Sequence, residues 1–271
     1  MKQIMITGVS SGFGQALAQA AGHRVFGTVR SQQALDAFTA LDPTRAHGAI
    51  LDLTDVERIA PLVAAFEEAH GPLDALINNA GYGHEGIFEE ATLAEMRHQF
   101  DVNVWGAVAM MKALVPRFRA RRHGQIINIT SMGGLITLPG ISDYCASKFA
   151  LEAFSETLSQ ELAGFNIAVT AVAPGSFRTD WAGRSMVRSP RAISDYDALF
   201  DPVREARLAK SGRQNGDPHK AALAILGLLD HPAPPAHLLL GSDALQLVRD
   251  KLRRLESSVA EWESVTRSTD G

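Results

Sequence analysis

Short apolar runs alternate with amphipathic segments about seven times along this chain, and no linker interrupts the alternation before Pro174. That regularity restricts the fold more than any single residue does. The runs are Gln3 to Thr7, Arg24 to Val29, Ala46 to Leu51, Leu73 to Asn78, Gln125 to Thr130, Ile167 to Val172 and His237 to Leu240. Each has the length of a strand, and most lack the polar alternation of a half-exposed sheet, so they read as strands covered on both faces. Helical periodicity marks Gln15 to Ala21, Gln33 to Leu41, Val56 to Ala69, Leu93 to Arg121, Ser142 to Ala163 and Pro218 to Leu229. Asp217-Pro218 supplies a capping side chain followed by proline at the first helical position. The succession implies a parallel sheet with right-handed crossovers and helices on both faces.

With 271 residues the chain has room for one large domain or two small ones. The unbroken alternation favours one domain over residues 1–271. Two stretches exceed what a minimal sheet needs. Residues 175–216 carry Pro, Arg and Gly without clear periodicity, as functional loops often do. Residues 243–265 read as a C-terminal helix, with Leu245, Val248, Leu252, Leu255, Val259 and Trp262 at helical spacing. Two roles are open to that stripe: capping its own subunit or packing on a partner's surface.

A formal charge of −4 excludes a chain built around polyphosphate binding, so no nucleic-acid partner is expected. One cysteine cannot form an internal disulfide, and no apolar stretch approaches the ~18 residues of a bilayer span. The N-terminal apolar stretch is too short for a signal-peptide core. Together these point to a cytoplasmic protein. Nine scattered histidines with no close pairing imply no metal site. The arginines at 117, 119, 121 and 122 complement the negative end of a long helix. Cys145 reads as a small core filler.

The first strand runs into Thr7-Gly8-Val9-Ser10-Ser11-Gly12-Phe13-Gly14, and a helix opens directly after it. Gly8, Ser10, Ser11, Gly12, Phe13 and Gly14 form a turn whose backbone can approach a pyrophosphate, with the helix offering free N–H groups and a positive dipole end. This specifies a Rossmann-type doubly wound α/β sheet of about seven parallel strands. The second strand ends at Thr28-Val29-Arg30-Ser31, where an NAD site usually carries an acidic side chain. Arg30 offers a guanidinium for a 2′-phosphate instead, so NADP(H) is expected, with NAD(H) as the second possibility. Asp52-Leu53 and Asn79-Ala80-Gly81 lie at the carboxyl ends of the third and fourth strands, where open sheets bind ligands.

Tyr144-Cys145-Ala146-Ser147-Lys148 puts Tyr and Lys four apart on one helix face, and Ser131 stands 13 residues earlier. The chance expectation for that set is roughly 0.004, which makes it the strongest signal in the chain. A carbonyl accepting hydride needs a proton and a dipole on its oxygen. Tyr144 is the expected general acid/base, Ser131 the group orienting the substrate oxygen, and Lys148 the ammonium that favours phenolate and holds a ribose hydroxyl.

These motifs resemble the short-chain dehydrogenase/reductase family, in the subtype with T-G-x3-G-x-G and Y-x3-K. The resemblance runs from Lys2 to about Leu240 and includes Asp52, Asn78-Asn79-Ala80-Gly81, Asn103, Ser131, Tyr144, Lys148 and Pro174-Gly175. It implies that Asn103, midway along a long helix, holds a water linking the Lys to solvent. It also implies that Pro174, Gly175, Phe177 and Thr179 hold the nicotinamide carboxamide, with Phe177 standing where Val or Ile is commoner. A homodimer or homotetramer through the two long helices is a further implication. The C-terminal stretch resembles the bacterial branch similar to 17β-hydroxysteroid dehydrogenases.

In the insertion, Trp181, Met186, Tyr196 and Phe200 are expected to form an apolar lid, with Trp181 and Met186 touching substrate. Arg178, Arg184, Arg188 and Arg191 are placed to meet an acidic substrate or the cofactor phosphates, unless this is an ordinary amphipathic surface helix. The expected substrate is a medium-sized apolar ketone or secondary alcohol. Two rivals share the scaffold. A redox-sensing NADP(H)-binding protein does not require the intact Ser131, Tyr144 and Lys148. A cofactor-independent lyase or dehalogenase does not require the intact glycine turn.

Overall fold

The structure, a computed structural model, describes residues 1–183 and 185–271; Arg184 lies outside the described residues. Among these, nine strands form: β1 Gln3–Ile6, β2 Arg24–Val29, β3 Ala46–Ile50, β4 Ala75–Asn78, β5 Gly83–Glu85, β6 Gly124–Ile129, β7 Ile167–Pro174, β8 Met186–Arg188 and β9 His237–Leu240. Ten helices accompany them: α1 Gly12–Ala20, α2 Gln32–Thr39, α3 Ile59–His70, α4 Leu93–Phe100, α5 Gly106–Arg121, α6 Ser142–Leu162, α7 Asp197–Ala209, α8 Pro218–Gly227, α9 Ser242–Glu261 and α10 Glu263–Arg267. Seven strands form one parallel sheet in the order β3-β2-β1-β4-β6-β7-β9. Strand order reverses between β1 and β4, which opens a crevice at the carboxyl ends of those strands.

Side chains on successive strand residues point to opposite faces, and each face has its own core. Ile4, Ile6, Ala75, Ile77 and Ile127 pack with Leu17, Phe38, Ala222 and Ile225 under α1, α2 and α8. Met5, Phe26, Leu76 and Ile126 pack with Ile59, Val63, Met110, Leu114 and Leu151 under α3, α5 and α6. Buried on both sides, the strands have no reason to alternate with polar residues. This is the expected Rossmann-type sheet.

Two expectations need correction. The segment Leu93 to Arg121, read as one helix, is α4 and α5 joined by a π-helical turn at Asp101–Trp105. Its apolar spacing continues through the turn, so periodicity did not reveal the widened backbone. The 175–216 stretch is more regular than its composition implied: it contributes β8, which pairs with β5 in a second small parallel sheet, and α7. Neither three-residue strand is long enough to show a period. The stretch is anchored by ion pairs. Glu85, fully buried, receives Arg188 at 3.1 Å, Arg204 at 2.9 Å and Arg207. Glu90 receives Arg191 at 2.9 Å and the backbone N–H groups of Ala192 and Ile193, both at 2.8 Å. The C-terminal stripe, for which two roles are open, buries Val248 against its own subunit, beside Ala244; from Leu252 onward every residue is exposed.

Candidate active site

The turn between β1 and α1 depends on glycine. Gly8 and Gly12 hold φ of 71° and 56°, in the left-handed region that side chains disfavour. A Cβ on Gly14 would sit 2.1 Å from the Gly8 carbonyl oxygen. Asn79 braces the turn from the end of β4: its amide donates to the carbonyls of Thr7 at 2.9 Å and Gly8 at 3.0 Å. The Thr7 hydroxyl accepts the N–H groups of Asn79 and Ala80, each at 3.0 Å. Asn79, expected to touch cofactor, has both its amide hydrogens committed to the chain. Ser11 makes no side-chain cap on α1, so the first N–H groups of that helix have no side chain as acceptor.

Arg30 and Asp52 stand exposed at the ends of β2 and β3. Asp52 accepts the Thr54 N–H at 2.9 Å and the Thr54 hydroxyl at 2.8 Å. Those bonds hold its carboxyl below the usual range, with nearby Arg30 adding to the effect. Leu53 is buried beneath them.

Tyr144, Lys148 and Glu152 recur every four residues along α6 and share its inner face. Ser131 faces them from the end of β6, where its Oγ accepts the Gly133 N–H at 3.0 Å and keeps its own hydrogen for another acceptor. Burial raises the Tyr144 hydroxyl well above its ordinary pKa, and the Ser131 hydroxyl draws it partly back. Burial pushes Lys148 down to about 8, opposed by the Glu152 carboxylate. The Lys148 ammonium donates to the Ile129 carbonyl at 2.9 Å and lies 6.0 Å from the Tyr144 ring centroid. In the chain alone, burial is the largest influence on the Tyr144 hydroxyl.

Asn103 lies in the π-helical turn, a device common at functional sites. Its Oδ1 accepts the Tyr82 N–H at 3.0 Å, and its Nδ2 donates to the Tyr82 carbonyl at 3.0 Å and to Ser147 Oγ at 3.2 Å. The side chain therefore clamps the β4–β5 connection to α6, and only one lone pair of Oδ1 is left for a water. Gly81 keeps space open beside it. A Cβ there would lie 3.0 Å from Asn103 Oδ1 and 3.6 Å from Lys148 Nζ.

Pro174 and Gly175 are pinned by Asp243, whose Oδ2 accepts the Ser176 N–H at 2.8 Å. The Phe177 ring meets Phe13 edge-on, with centroids 5.1 Å apart, bringing the glycine turn and the end of β7 together. Thr179 closes the gap over Gly12, where a Cβ would reach its side chain at 3.8 Å. Trp181 lies against Tyr144 with centroids 5.0 Å apart, and its buried indole N–H has no partner among the described residues.

The other expected lid residues sit in three different settings. Met186 is buried in β8, Phe200 is buried against Gly140, and Tyr196 donates to Glu89 at 2.7 Å on the surface. Of the expected arginines, Arg184 lies outside the described residues and the other three hold carboxylates of the chain itself. Arg178 pairs with Asp217 at 3.3 Å, Arg188 with Glu85, and Arg191 with Glu90, Asp197 and Asp201. Carboxylates scattered through the sequence converge on them only in the fold.

Two buried groups went unread in the sequence. Glu152 hydrogen-bonds the Thr130 hydroxyl and lies 3.0 Å from His237 Nδ1; burial raises its carboxyl above the usual range. The spacing 144, 148, 152 was the available signal. His84, fully buried, lies 2.6 Å from Asp143 and 3.0 Å from Ser189, tying β5 and the end of β8 to the residue next to Tyr144. Burial opposes a charge on His84, but Asp143 and Glu95 outweigh it and its pKa is raised.

The residues fit a dinucleotide. The cradle tolerates no Cβ at Gly8 or Gly14, α1 opens without a side-chain cap, and the orphaned Trp181 N–H sits beside Tyr144.

Residues 2–187 match the family model described as short chain dehydrogenase. The 3-ketodihydrosphingosine reductase of Bacteroides thetaiotaomicron is 35% identical over 243 residues, covering 88% of this chain and 87% of its own. A solved short-chain dehydrogenase from Streptomyces avermitilis superposes with a TM-score of 0.92 at 40% identity, covering 100% of this chain and 98% of that one. The closed form of a serine dehydrogenase complexed with NADP+ superposes with a TM-score of 0.75 at 25% identity, covering 88% and 94%. The chain belongs to the short-chain dehydrogenase/reductase family and is an oxidoreductase acting on CH–OH and C=O groups.

Proposed function

We propose that the protein is an NADP(H)-dependent carbonyl reductase or alcohol dehydrogenase for a medium-sized apolar ketone and its secondary alcohol. The observation that carries this reading is the convergence of Ser131, Tyr144 and Lys148 at the carboxyl ends of β6 and β4, beneath Trp181. NADPH, when bound, supplies the hydride. Gly8, Ser10, Ser11, Gly12, Phe13 and Gly14 would hold its pyrophosphate, Arg30 its 2′-phosphate, and Asp52 and Leu53 its adenine end. Ala80 and Gly81 would pass beneath a ribose, and Pro174, Gly175, Phe177 and Thr179 would hold the carboxamide. Support for NADP(H) over NAD(H) comes from Arg30 and from the NADP+ complex of the serine dehydrogenase.

The chain's own residues manage the proton. Tyr144, held neutral by burial, is armed to donate its hydroxyl proton to the substrate oxygen in the reducing direction. Ser131, whose Oγ accepts from Gly133, directs its hydrogen at the same oxygen and stabilises the charge developing there. Burial lowers Lys148 to about 8, which suits it to lose and regain a proton and so recharge Tyr144. Asn103 contributes by fixing the backbone at Tyr82 and so the width of the space beside Gly81. Trp181 supplies an apolar wall, which favours an apolar substrate, and the ketone in the name of the Bacteroides relative supports a carbonyl. The same reading places the protein in the cytoplasm as a homo-oligomer; no helix of the described residues is long and apolar enough to cross a membrane.

The test is Tyr144→Phe, with NADPH absorbance followed against steroid, aromatic and aliphatic ketones. Loss of turnover by about 10²- to 10⁴-fold with NADPH binding unchanged is the expected result. Retained turnover refutes the proposed acid.

A further inference from the structure

The C-terminal helix leaves the body of the molecule with an ordered apolar seam on it. Leu245, Val248, Leu252, Leu255, Val259 and Trp262 are spaced alternately by three and four residues, the repeat of a coiled-coil seam and not of a helix lying on a globular surface. The chain's own body covers only the first part, with Ala244 at 0% and Val248 at 6% exposure. Beyond it Leu252, Leu255, Val259 and Trp262 are 58%, 52%, 63% and 59% exposed. From Leu252 to Glu261, with Trp262 at the C-cap, that is about 15 Å of helix with no tertiary support, and a segment of this length is marginal as an isolated helix.

We propose that this segment pairs antiparallel with the same segment of a second copy of the chain. The seam is self-complementary in that direction. Leu252 meets the partner's Trp262, and Leu255 meets the partner's Val259. A two-fold axis repeats both contacts, so all four exposed seam residues are used. A parallel pairing is blocked by the molecule itself. It would bring Val248 level with the partner's Val248, and on that face the body of the chain already occupies the space.

The flanking charges agree. Beside the seam, the end nearer the body carries Arg249 and Lys251, and the far end carries Glu256 and Glu263. Antiparallel pairing sets Arg249 opposite the partner's Glu263 twice, and brings the two Glu256 side chains together near the axis as the one unfavourable flank. A lipid surface fits less well. From Ser242 to Arg267 five basic and five acidic side chains cancel, where a helix drawn to anionic lipid carries a basic polar face.

The test is disulfide trapping in the full-length protein, whose Cys145 is buried. Leu255→Cys and Val259→Cys are made separately, mixed reduced, and oxidised. A disulfide-linked dimer containing one of each, absent when either variant is oxidised alone, is the expected result. No cross-linked dimer in the mixture, or cross-linking of Leu255→Cys with itself, overturns the proposal. In parallel, Leu252→Glu/Leu255→Glu should halve the assembly mass in sedimentation velocity and leave carbonyl reductase activity per chain unchanged. An unchanged mass, or a wild-type chain that sediments as a monomer and binds vesicles of anionic phospholipid through this helix, overturns it too. The trapping result does not depend on the enzyme's substrate or cofactor.

Discussion

Lys148→Met should make the protein more stable at neutral pH while destroying its activity. Burial lowers the Lys148 ammonium from 10.5 to about 8, which corresponds to about 3 kcal/mol of charge-burial cost in the folded state. Methionine fills nearly the same volume without a charge. It forfeits the hydrogen bond to the Ile129 carbonyl, worth about 1 kcal/mol, so the expected net gain is about 2 kcal/mol at pH 7. For a chain of this size that is a rise of about 5 °C in Tm. The sign with pH is definite. The lysine's folded pKa lies below its unfolded one, so its cost is complete below about pH 8 and fades as pH climbs toward 10.5. The advantage of the variant should therefore shrink to nothing by about pH 10, where the lost hydrogen bond cancels what charge cost remains. Thermal unfolding of both proteins at pH 7, 8.5 and 10, read as differences in Tm, measures this directly. A variant less stable at pH 7, or a difference that ignores pH, refutes the reasoning.

Arg30→Asp should weaken NADPH binding by about 10- to 100-fold and NADH binding far less, since one charge-assisted contact is worth about 1.5–3 kcal/mol; equal losses in a fluorescence titration would remove Arg30 from the 2′-phosphate site. Gly14→Ala drives a Cβ into the Gly8 carbonyl oxygen at 2.1 Å, so it should abolish cofactor binding and lower Tm together. Phe200→Ala should cost about 3–5 kcal/mol, because the ring is buried against Gly140 and within 6 Å of the guanidinium groups of Arg191 (5.1 Å) and Arg204 (5.8 Å); a shift under about 1 °C would contradict that packing. His84→Gln should destabilise the fold most in acid. The raised His84 contributes stability that is complete below its unfolded pKa and is lost as pH rises through the folded value, so the gap in Tm to wild type should narrow with rising pH.

Residues legible in the sequence were those whose meaning is local. The strands of the main sheet and the glycine turn declare themselves by composition and spacing, because burial on both faces and backbone contact leave few residue choices. Tyr144 and Lys148 share a face by helical geometry alone. Glu152 follows from the same geometry one turn further, and its partners Thr130 and His237 do not, since they come from two other strands. The π-helical turn at Asn103 left no trace in the apolar spacing, and β5 and β8 are too short to show a period.

By itself, then, the sequence determined the strand-and-helix alternation, the glycines of the turn and the Tyr–Lys spacing, all of which are patterns local in the chain. Only the tertiary structure decided the electrostatic state of that Tyr–Lys pair. It buried Tyr144 and Lys148, and that burial raises the pKa of the first and lowers that of the second. It also set Arg178, Arg188 and Arg191 of the insertion into ion pairs with carboxylates of the chain itself. Charges distant in sequence act on one another only when folding brings them within a few ångströms and removes the water between them.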